Sequence, residues 1–179
     1  MRHSLDHVFA GLDRFAGPLP LGVIHDWLSD CGLTLAELAE FQSFRPDRYV
    51  RNLVHIGPAY QALLLCWRNG QRSPIHNHRG SACGVKVLRG TATETVFSRA
   101  PNGMIVADHT RHLPPGDICA SEDADIHQVS NLQAGNADLV TLHVYSPPLL
   151  RMDVFSLDTP AVREWDDPVN DPFVLGGGI

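Results

Sequence analysis

From residue 49 onward the chain is a succession of short apolar or alternating segments separated by turn residues. Arg89-Gly90, Asn102-Gly103 and Gly135-Asn136 are turn signals between consecutive segments. Short strands at regular spacing are typical of an all-β sandwich or barrel, so the sequence predicts a mainly β fold. The predicted strands are 49–56, 60–67, 84–88, 91–97, 104–109, 116–120, 126–131, 139–145 and 152–156.

The first 45 residues carry a different pattern, with apolar residues at helical spacing. Thr34 and Glu37 have the spacing of a capping box, which predicts a further helix start. Gly17-Pro18 and Cys31-Gly32 mark breaks between helices. The two apolar stripes are Leu5, Val8, Phe9, Leu12 and Phe15, then Ile24, Trp27, Leu28 and Cys31.

The length favours a single domain, because 179 residues can bury one sizeable core. We expect this domain to span 1–179. A helical segment at 1–45 packs on the outside of a β-barrel at 46–157, and a C-terminal tail follows at 158–179.

Charge and composition exclude several classes of partner. The net charge is -6 with His neutral, which gives no electrostatic attraction to nucleic acid or to an anionic membrane. No apolar run is long enough to span a bilayer, and the N-terminus lacks a leader pattern. We therefore expect a cytoplasmic protein. The 4 cysteines are widely spaced, which favours free thiols in that compartment.

A stretch at 70–90, GQRSPIHNHRGSACGVKVLRG, contains His76 and His78 one residue apart. Residues two apart in a strand point to the same face, so both imidazoles can reach one point. Neutral imidazole is a common ligand of zinc, copper, iron and nickel. His127, in DADIHQVSN, lies on another predicted strand. Alone it would be read as a buried core histidine, but three imidazoles from two strands can form one face of a metal site.

These motifs resemble a known family. Gly70 through His76, His78 and Cys83 to Gly90 reads G-x5-H-x-H-x4-C-x6-G, which resembles the first cupin motif. His127 to Asn131 resembles the end of the second. The usual cupin has a Glu ligand after the His-x-His, and Cys83 at about that place is similar to the cysteine dioxygenase type I family. Further segments resemble that family in the same order: YVRNLV, LLLCW, SPIHNH, VLRGTATETVF and LHVYSPP.

The resemblance implies a cupin fold, a small β-barrel or jelly roll with N-terminal helices outside. It also implies a mononuclear Fe(II) cofactor held by His76, His78 and His127. Enzymes of the family add both atoms of dioxygen to a small thiol, which gives a sulfinate. The residues alone leave the metal open, because a three-His site with a bound water is also a hydrolytic zinc site.

The resemblance also assigns residues around the metal. Arg51 matches the arginine that pairs with the substrate carboxylate, and Tyr49 shares its face in a strand. Thr141, His143 and Tyr145 alternate along one strand and resemble the family's Ser-His-Tyr relay, with Thr in place of Ser. Without the resemblance, Arg51 would be read as a structural arginine, and His143 with Tyr145 as a buried pair that satisfies itself.

Cys83 and Arg79 are the two residues that bear on chemistry specific to this chain. Cys83 and Tyr145 match a pair that forms a thioether crosslink in some family members, and Ser146-Pro147 matches a cis peptide. Arg79 directly follows His78, and a loop there would allow it to turn inward and bind a second substrate carboxylate.

We expect L-cysteine to be oxidised to cysteine sulfinate, with mercaptosuccinate or 3-mercaptopropionate as alternative substrates. Two other classes remain. One is a zinc or nickel cupin with hydrolase or isomerase chemistry, and the other is a ligand-binding sensor. A sensor would not need Arg51, His143 and Tyr145 beside three His ligands.

Overall fold

The computed structural model of the protein describes residues 5–122 and 126–166. These residues form two short α-helices and eleven strands, with 3-10 turns at Ala39–Phe41 and Ala134–Asn136. The helices are α1 (Asp6–Phe9) and α2 (Leu21–Asp30). The strands are β1 (Val50–Ile56), β2 (Gln61–Trp67), β3 (Ile75–His76), β4 (Ala82–Arg89), β5 (Ala92–Arg99), β6 (Ile105–Leu113), β7 (Ile118–Ser121), β8 (Ile126–Ser130), β9 (Leu139–Ser146), β10 (Arg151–Phe155) and β11 (Arg163–Asp166).

Every strand predicted from the sequence is confirmed, with ends that differ by a few residues. Two strands are additional, β3 and β11. Within the expected tail at 158–179, residues 163–166 form a strand that pairs with β10. The rest of that tail, 167–179, lies outside the described residues.

The strands form two antiparallel sheets. One has five strands in the order β1-β2-β9-β4-β7, and the other has six in the order β11-β10-β3-β8-β5-β6. The predicted mainly β fold is confirmed, and the expected barrel is realised as a jelly roll of two sheets. A core between the sheets unites Leu63 and Val85 of the first with Val129 and Met152 of the second.

Strand β2 is buried on both faces, which explains its apolar run ALLLCW after Gln61. Leu65 and Trp67 face the interior between the sheets. Leu64 and Cys66, which alternate with them, belong to a second core under the N-terminal helices. The prediction of helices packed outside the β structure is thus confirmed.

The N-terminal segment is less helical than its apolar stripes predict. Helix α1 ends at Phe9, although Leu12 is buried further along the chain. Thr34 and Glu37 form the capping box, since each backbone N–H bonds the other's side chain. Turns and the 3-10 turn at Ala39–Phe41 follow them instead of an α-helix.

Helix α2 approaches β4 at Gly84. A Cβ at Gly84 would lie 2.4 Å from Cγ2 of Ile24, so any side chain there would displace the helix.

None of the described helices is long and apolar enough to cross a bilayer. All four cysteines are free, as the sequence predicts.

Candidate metal centre

Three histidines converge between the sheets. His76 on β3 lies directly opposite His127 on β8, because these two residues are paired in register. The expected strand through both residues of the His-x-His motif is corrected, since β3 ends at His76 and His78 follows it outside regular structure. The three side chains nevertheless offer nitrogens that all lie within 4.8 Å of one another, and all three are buried.

The arrangement fits a divalent metal ion. Nε2 of His127 lies 3.2 Å from Nε2 of His78. Nitrogen ligands bind a metal such as zinc at about 2.0–2.1 Å, so two ligands on one ion are separated by roughly 3 Å. Nδ1 of His76 is 2.9 Å from the Pro74 carbonyl oxygen, which leaves Nε2 of His76 for a metal. Among the described residues, this is the one group of three or more potential ligands that meets within such a distance.

Burial keeps His76 and His78 neutral. It lowers the pKa of His76 to about 3, with a further lowering from the neighbouring His127. Burial likewise holds the pKa of His78 well below its usual range. Neutral imidazoles have a free lone pair for a metal, and they leave the charge of the ion uncompensated.

The second nitrogens of the three ligands have different partners. Nδ1 of His127 is 2.7 Å from Oε1 of Glu94, a buried carboxylate on β5. Nδ1 of His78 is buried and has no hydrogen-bond partner within the described part of the chain. The second nitrogen of His127 therefore contacts a carboxylate, and that of His76 contacts a backbone carbonyl. The second nitrogen of His78 contacts no polar group of the described residues.

Sequence reasoning missed Glu94. Burial raises its pKa, but hydrogen bonds from His127 and Arg111 more than offset this effect, and the pKa falls to about 2. A charged residue between Thr93 and Thr95 in a half-buried strand gives a weak signal, because alternation does not reveal which face is buried. The partner of Glu94, His127, is identified only once the pairing of β5 with β8 is known.

Arg51 and Tyr49 line the same cavity as the ligands His76 and His127. The Arg51 guanidinium carbon is 5.6 Å from the centre of the Tyr145 ring, and Arg51 donates a hydrogen bond to that side chain. Tyr49 stacks on Trp67 with 4.1 Å between ring centres and forms a wall. The cavity lining is Tyr49, Arg51, Leu65, Trp67, Ser73, His76, Cys83, His127, Val129, His143 and Tyr145.

The three residues of the expected relay are connected in one chain of hydrogen bonds. Trp67 Nε1–H donates to Thr141 Oγ1 over 3.1 Å. Thr141 Oγ1 lies 2.8 Å from His143 Nε2, and His143 Nδ1 lies 3.1 Å from the Tyr145 hydroxyl. Burial, with the positive charge of Arg51, holds the pKa of His143 well below its usual range, so the ring is neutral.

Burial also sets the protonation states of Tyr145 and Cys83. It raises the pKa of Tyr145 well above its ordinary value, with a smaller contribution from Cys83. It raises the pKa of Cys83 as well, although a hydrogen bond with Tyr145 opposes the effect. Tyr145 is therefore a protonated phenol, and Cys83 is a thiol beside it. The peptide bond between Ser146 and Pro147 is cis.

Arg79 points away from the centre. Its guanidinium makes ion pairs with Glu164, through Nη1, and with Asp153, 3.6 Å from Nε. Its side chain is 39% exposed, and it does not belong to the cavity lining. The hypothesis that Arg79 turns inward to bind substrate is not supported, because the turn after His78 leads the side chain to the acidic residues of β10 and β11.

Comparison with known proteins identifies the family. The family model described as cysteine dioxygenase type I matches residues 29–158. Cysteine dioxygenase type 1 of Bos taurus is 35% identical over 119 residues, which cover 63% of this chain and 58% of that protein. The chain therefore spans less than two thirds of the length of this curated relative.

Solved structures agree with the fold. A crystal structure of a Thermus thermophilus protein has a TM-score of 0.52 at 21% identity and covers 62% of this chain and 94% of its own. A sugar phosphate isomerase of the cupin superfamily from Silicibacter pomeroyi has a TM-score of 0.51 at 18% identity. The match covers 67% of this chain and 72% of the isomerase chain. At these identities the likeness establishes the cupin fold alone, which confirms the expectation from the motifs.

Proposed function

We propose that this chain, which belongs to the cysteine dioxygenase type I family, oxidises L-cysteine to cysteine sulfinate with dioxygen at a three-His Fe(II) centre. One observation carries the proposal. Three imidazoles lie close enough to share a metal, and two of them, those of His76 and His127, line one cavity together with Arg51 and Tyr145. The sulfur takes both atoms of dioxygen, so the reaction needs no further reductant.

His76, His78 and His127 would hold the iron. When bound, iron(II) supplies a Lewis acid that lowers the pKa of the substrate thiol and a redox-active site for dioxygen. The protein's part is to keep the three ligands buried and close together. A site without a carboxylate among its ligands retains its positive charge, which favours a thiolate substrate.

Arg51 would hold the substrate carboxylate. Of the described residues that line the cavity, it is the one whose side chain is permanently charged. A guanidinium binds a carboxylate through two parallel hydrogen bonds, which fixes the orientation as well as the position of the ligand. Tyr49 supports this arrangement, because its stacking on Trp67 closes the wall next to Arg51 on the same strand face.

The relay orients the Tyr145 hydroxyl. An indole N–H can only donate, so the Thr141 oxygen accepts from Trp67. The arrangement that satisfies every buried donor then has Thr141 O–H donating to His143 Nε2, and His143 Nδ1–H donating to the Tyr145 oxygen. Tyr145 then keeps its own proton to donate, to the Cys83 sulfur or, when substrate is bound, to dioxygen or the substrate sulfur.

Cys83 adds a modification to this site. Its thiol is hydrogen-bonded to Tyr145, and the two residues are paired across neighbouring strands. We propose that a thioether forms between the Cys83 sulfur and the Tyr145 ring, with loss of the thiol hydrogen and one ring hydrogen to dioxygen as oxidant.

Cysteine is favoured over mercaptosuccinate by the position of Arg79. A second carboxylate would need a second cation at the cavity, and Arg79 is paired elsewhere. The chain thus offers one carboxylate-binding group, which fits cysteine and also 3-mercaptopropionate.

Oxygen uptake tests the proposal. Protein purified without added metal is analysed for bound metal, then loaded anaerobically with Fe(II) and mixed with cysteine, 3-mercaptopropionate or mercaptosuccinate. We expect uptake with cysteine to be fastest and uptake with mercaptosuccinate to be negligible. Tightly bound zinc without thiol-dependent uptake would support a zinc cupin of other chemistry, and fastest uptake with mercaptosuccinate would reverse the order of substrates.

A further inference from the structure

The buried carboxylate of Glu94 lies directly behind the metal ligand His127 and forms an ion pair with the more exposed Arg111. We infer that Glu94 is a positioning residue for His127, which it makes the strongest of the three metal ligands, and that Arg111 holds Glu94 in place. The inference rests on the proposed function only in taking the three histidines as a metal site. It concerns how tightly that site binds a metal.

The sheet brings these three residues together. On β5, Val96 is the register partner of His127, and Glu94 lies two residues before it on the same face. The side chain of Glu94 therefore reaches His127 diagonally across the strand pair, and its Oε1 lies 2.7 Å from Nδ1. On the other side of β5, Arg111 of β6 is the register partner of Glu94, and its Nε–H donates to Oε2. Each carboxylate oxygen thus has its own donor.

The hydrogen bond determines the tautomer of His127. A carboxylate only accepts hydrogen bonds, so Nδ1 of His127 carries the proton and Nε2 presents its lone pair. A carboxylate partner also makes the imidazole more basic than a carbonyl partner does. His76 has only the Pro74 carbonyl, and Nδ1 of His78 has no hydrogen-bond partner in the described chain. The three ligands are therefore chemically unequal, and Glu94 makes the difference.

Glu94 also supplies the charge that the ligand set lacks. The ligand set contains no carboxylate, and the Glu94 carboxylate acts through the imidazole of His127 instead of binding the metal directly. Cys119 packs against this pair, with its sulfur 3.6 Å from Oε2 of Glu94, and helps to enclose it. Arg111 is 45% exposed, whereas Glu94 is 4% exposed, so the pair extends from the protein surface to the ligand.

Metal affinity tests the inference without any catalytic readout. The dissociation constants of Fe(II) and Zn(II) are measured anaerobically by competition with a chromophoric chelator for the wild type, Glu94→Gln and Arg111→Gln. Glutamine retains an acceptor for Nδ1–H but removes the charge. We expect Glu94→Gln to weaken both metals by roughly tenfold to a hundredfold, the range typical of such partners. Arg111→Gln should weaken them by a smaller factor.

The control is Asp138→Asn, which removes a carboxylate from another ion pair, with Arg68 at 3.0 Å, that touches none of the ligands. Its metal affinities should equal those of the wild type. Unchanged affinities in a folded Glu94→Gln variant would overturn the inference. If that variant does not fold, Arg111→Gln decides, and unchanged affinities there would overturn it equally. The Zn(II) measurement separates this result from the proposed function, because zinc binding does not depend on thiol oxidation.

Discussion

Cys83 on β4 and Tyr145 on β9 lie directly opposite each other, as partners in the register of two neighbouring strands. Their side chains line the same cavity and share a hydrogen bond. After turnover with Fe(II), cysteine and dioxygen, we expect a fraction of the protein to be lighter by two hydrogen atoms. Intact-mass spectrometry of the wild type and Cys83→Ser checks this. An unmodified mass after many turnovers would refute the crosslink.

Arg51 is expected to control affinity for the carboxylate. Hydrogen bonds to charged groups contribute about 1.5–3 kcal/mol, so Arg51→Gln should raise KM for cysteine by roughly tenfold to a hundredfold. The measurement is the initial rate of oxygen uptake against cysteine concentration. Cysteamine, which has the thiol and the amine but no carboxylate, should be used equally well by both proteins.

Arg68→Gln is the matched control for Arg51, since Arg68 pairs with Asp138 at the surface. Its kinetics should match those of the wild type. If Arg51→Gln reduced the rates with cysteine and with cysteamine by the same factor, its role would be structural.

The hydrogen-bond chain through Thr141 is expected to act on kcat. Thr141→Val removes the hydroxyl and leaves both Trp67 Nε1–H and His143 Nε2 without that partner, at a cost of about 1–3 kcal/mol. We predict a fall in kcat of about fivefold to a hundredfold with little change in KM. Thr141→Ser retains the hydroxyl and should restore the rate. Equal rates for the Val and Ser variants would show that the relay does not orient Tyr145.

Arg79 is expected to have no role in substrate binding. It is paired with Glu164 and Asp153 outside the cavity. Arg79→Ala should leave KM for cysteine and the rate with mercaptosuccinate unchanged, as measured by oxygen uptake. A clear rise in KM for any thiol acid would restore the hypothesis that the side chain turns inward.

The sequence predicts the strands well and the connections between them less well. Alternation in segments such as 139–145 identifies β9 because its two faces pack on different cores. The strand expected through both His76 and His78 ends at His76, and a strand as short as β3 has no periodicity that would reveal its end. The helical stripe from Leu5 to Phe15 overestimates α1, since apolar spacing is preserved by consecutive turns that bury the same residues.

The residues of the site also divide into those that the sequence predicts and those that it does not. The ligands His76, His78 and His127 are predictable because a motif and a resemblance identify them. Glu94 and Arg111 are not, since their roles arise from register across β5, β6 and β8 that local sequence does not specify. The direction of Arg79 depends on a single turn, in which its own φ is 44°. Such a left-handed position in a non-glycine residue is uncommon, and nothing in the local sequence indicates it.

The source of the oxygen atoms in the product tests the central claim most directly. Protein loaded with Fe(II) is mixed with cysteine under isotopically labelled dioxygen, and the product is analysed by mass spectrometry. We predict cysteine sulfinate in which both sulfinate oxygens carry the label, with one dioxygen consumed for each cysteine. Absence of sulfinate, or label in only one oxygen, would contradict a thiol dioxygenase.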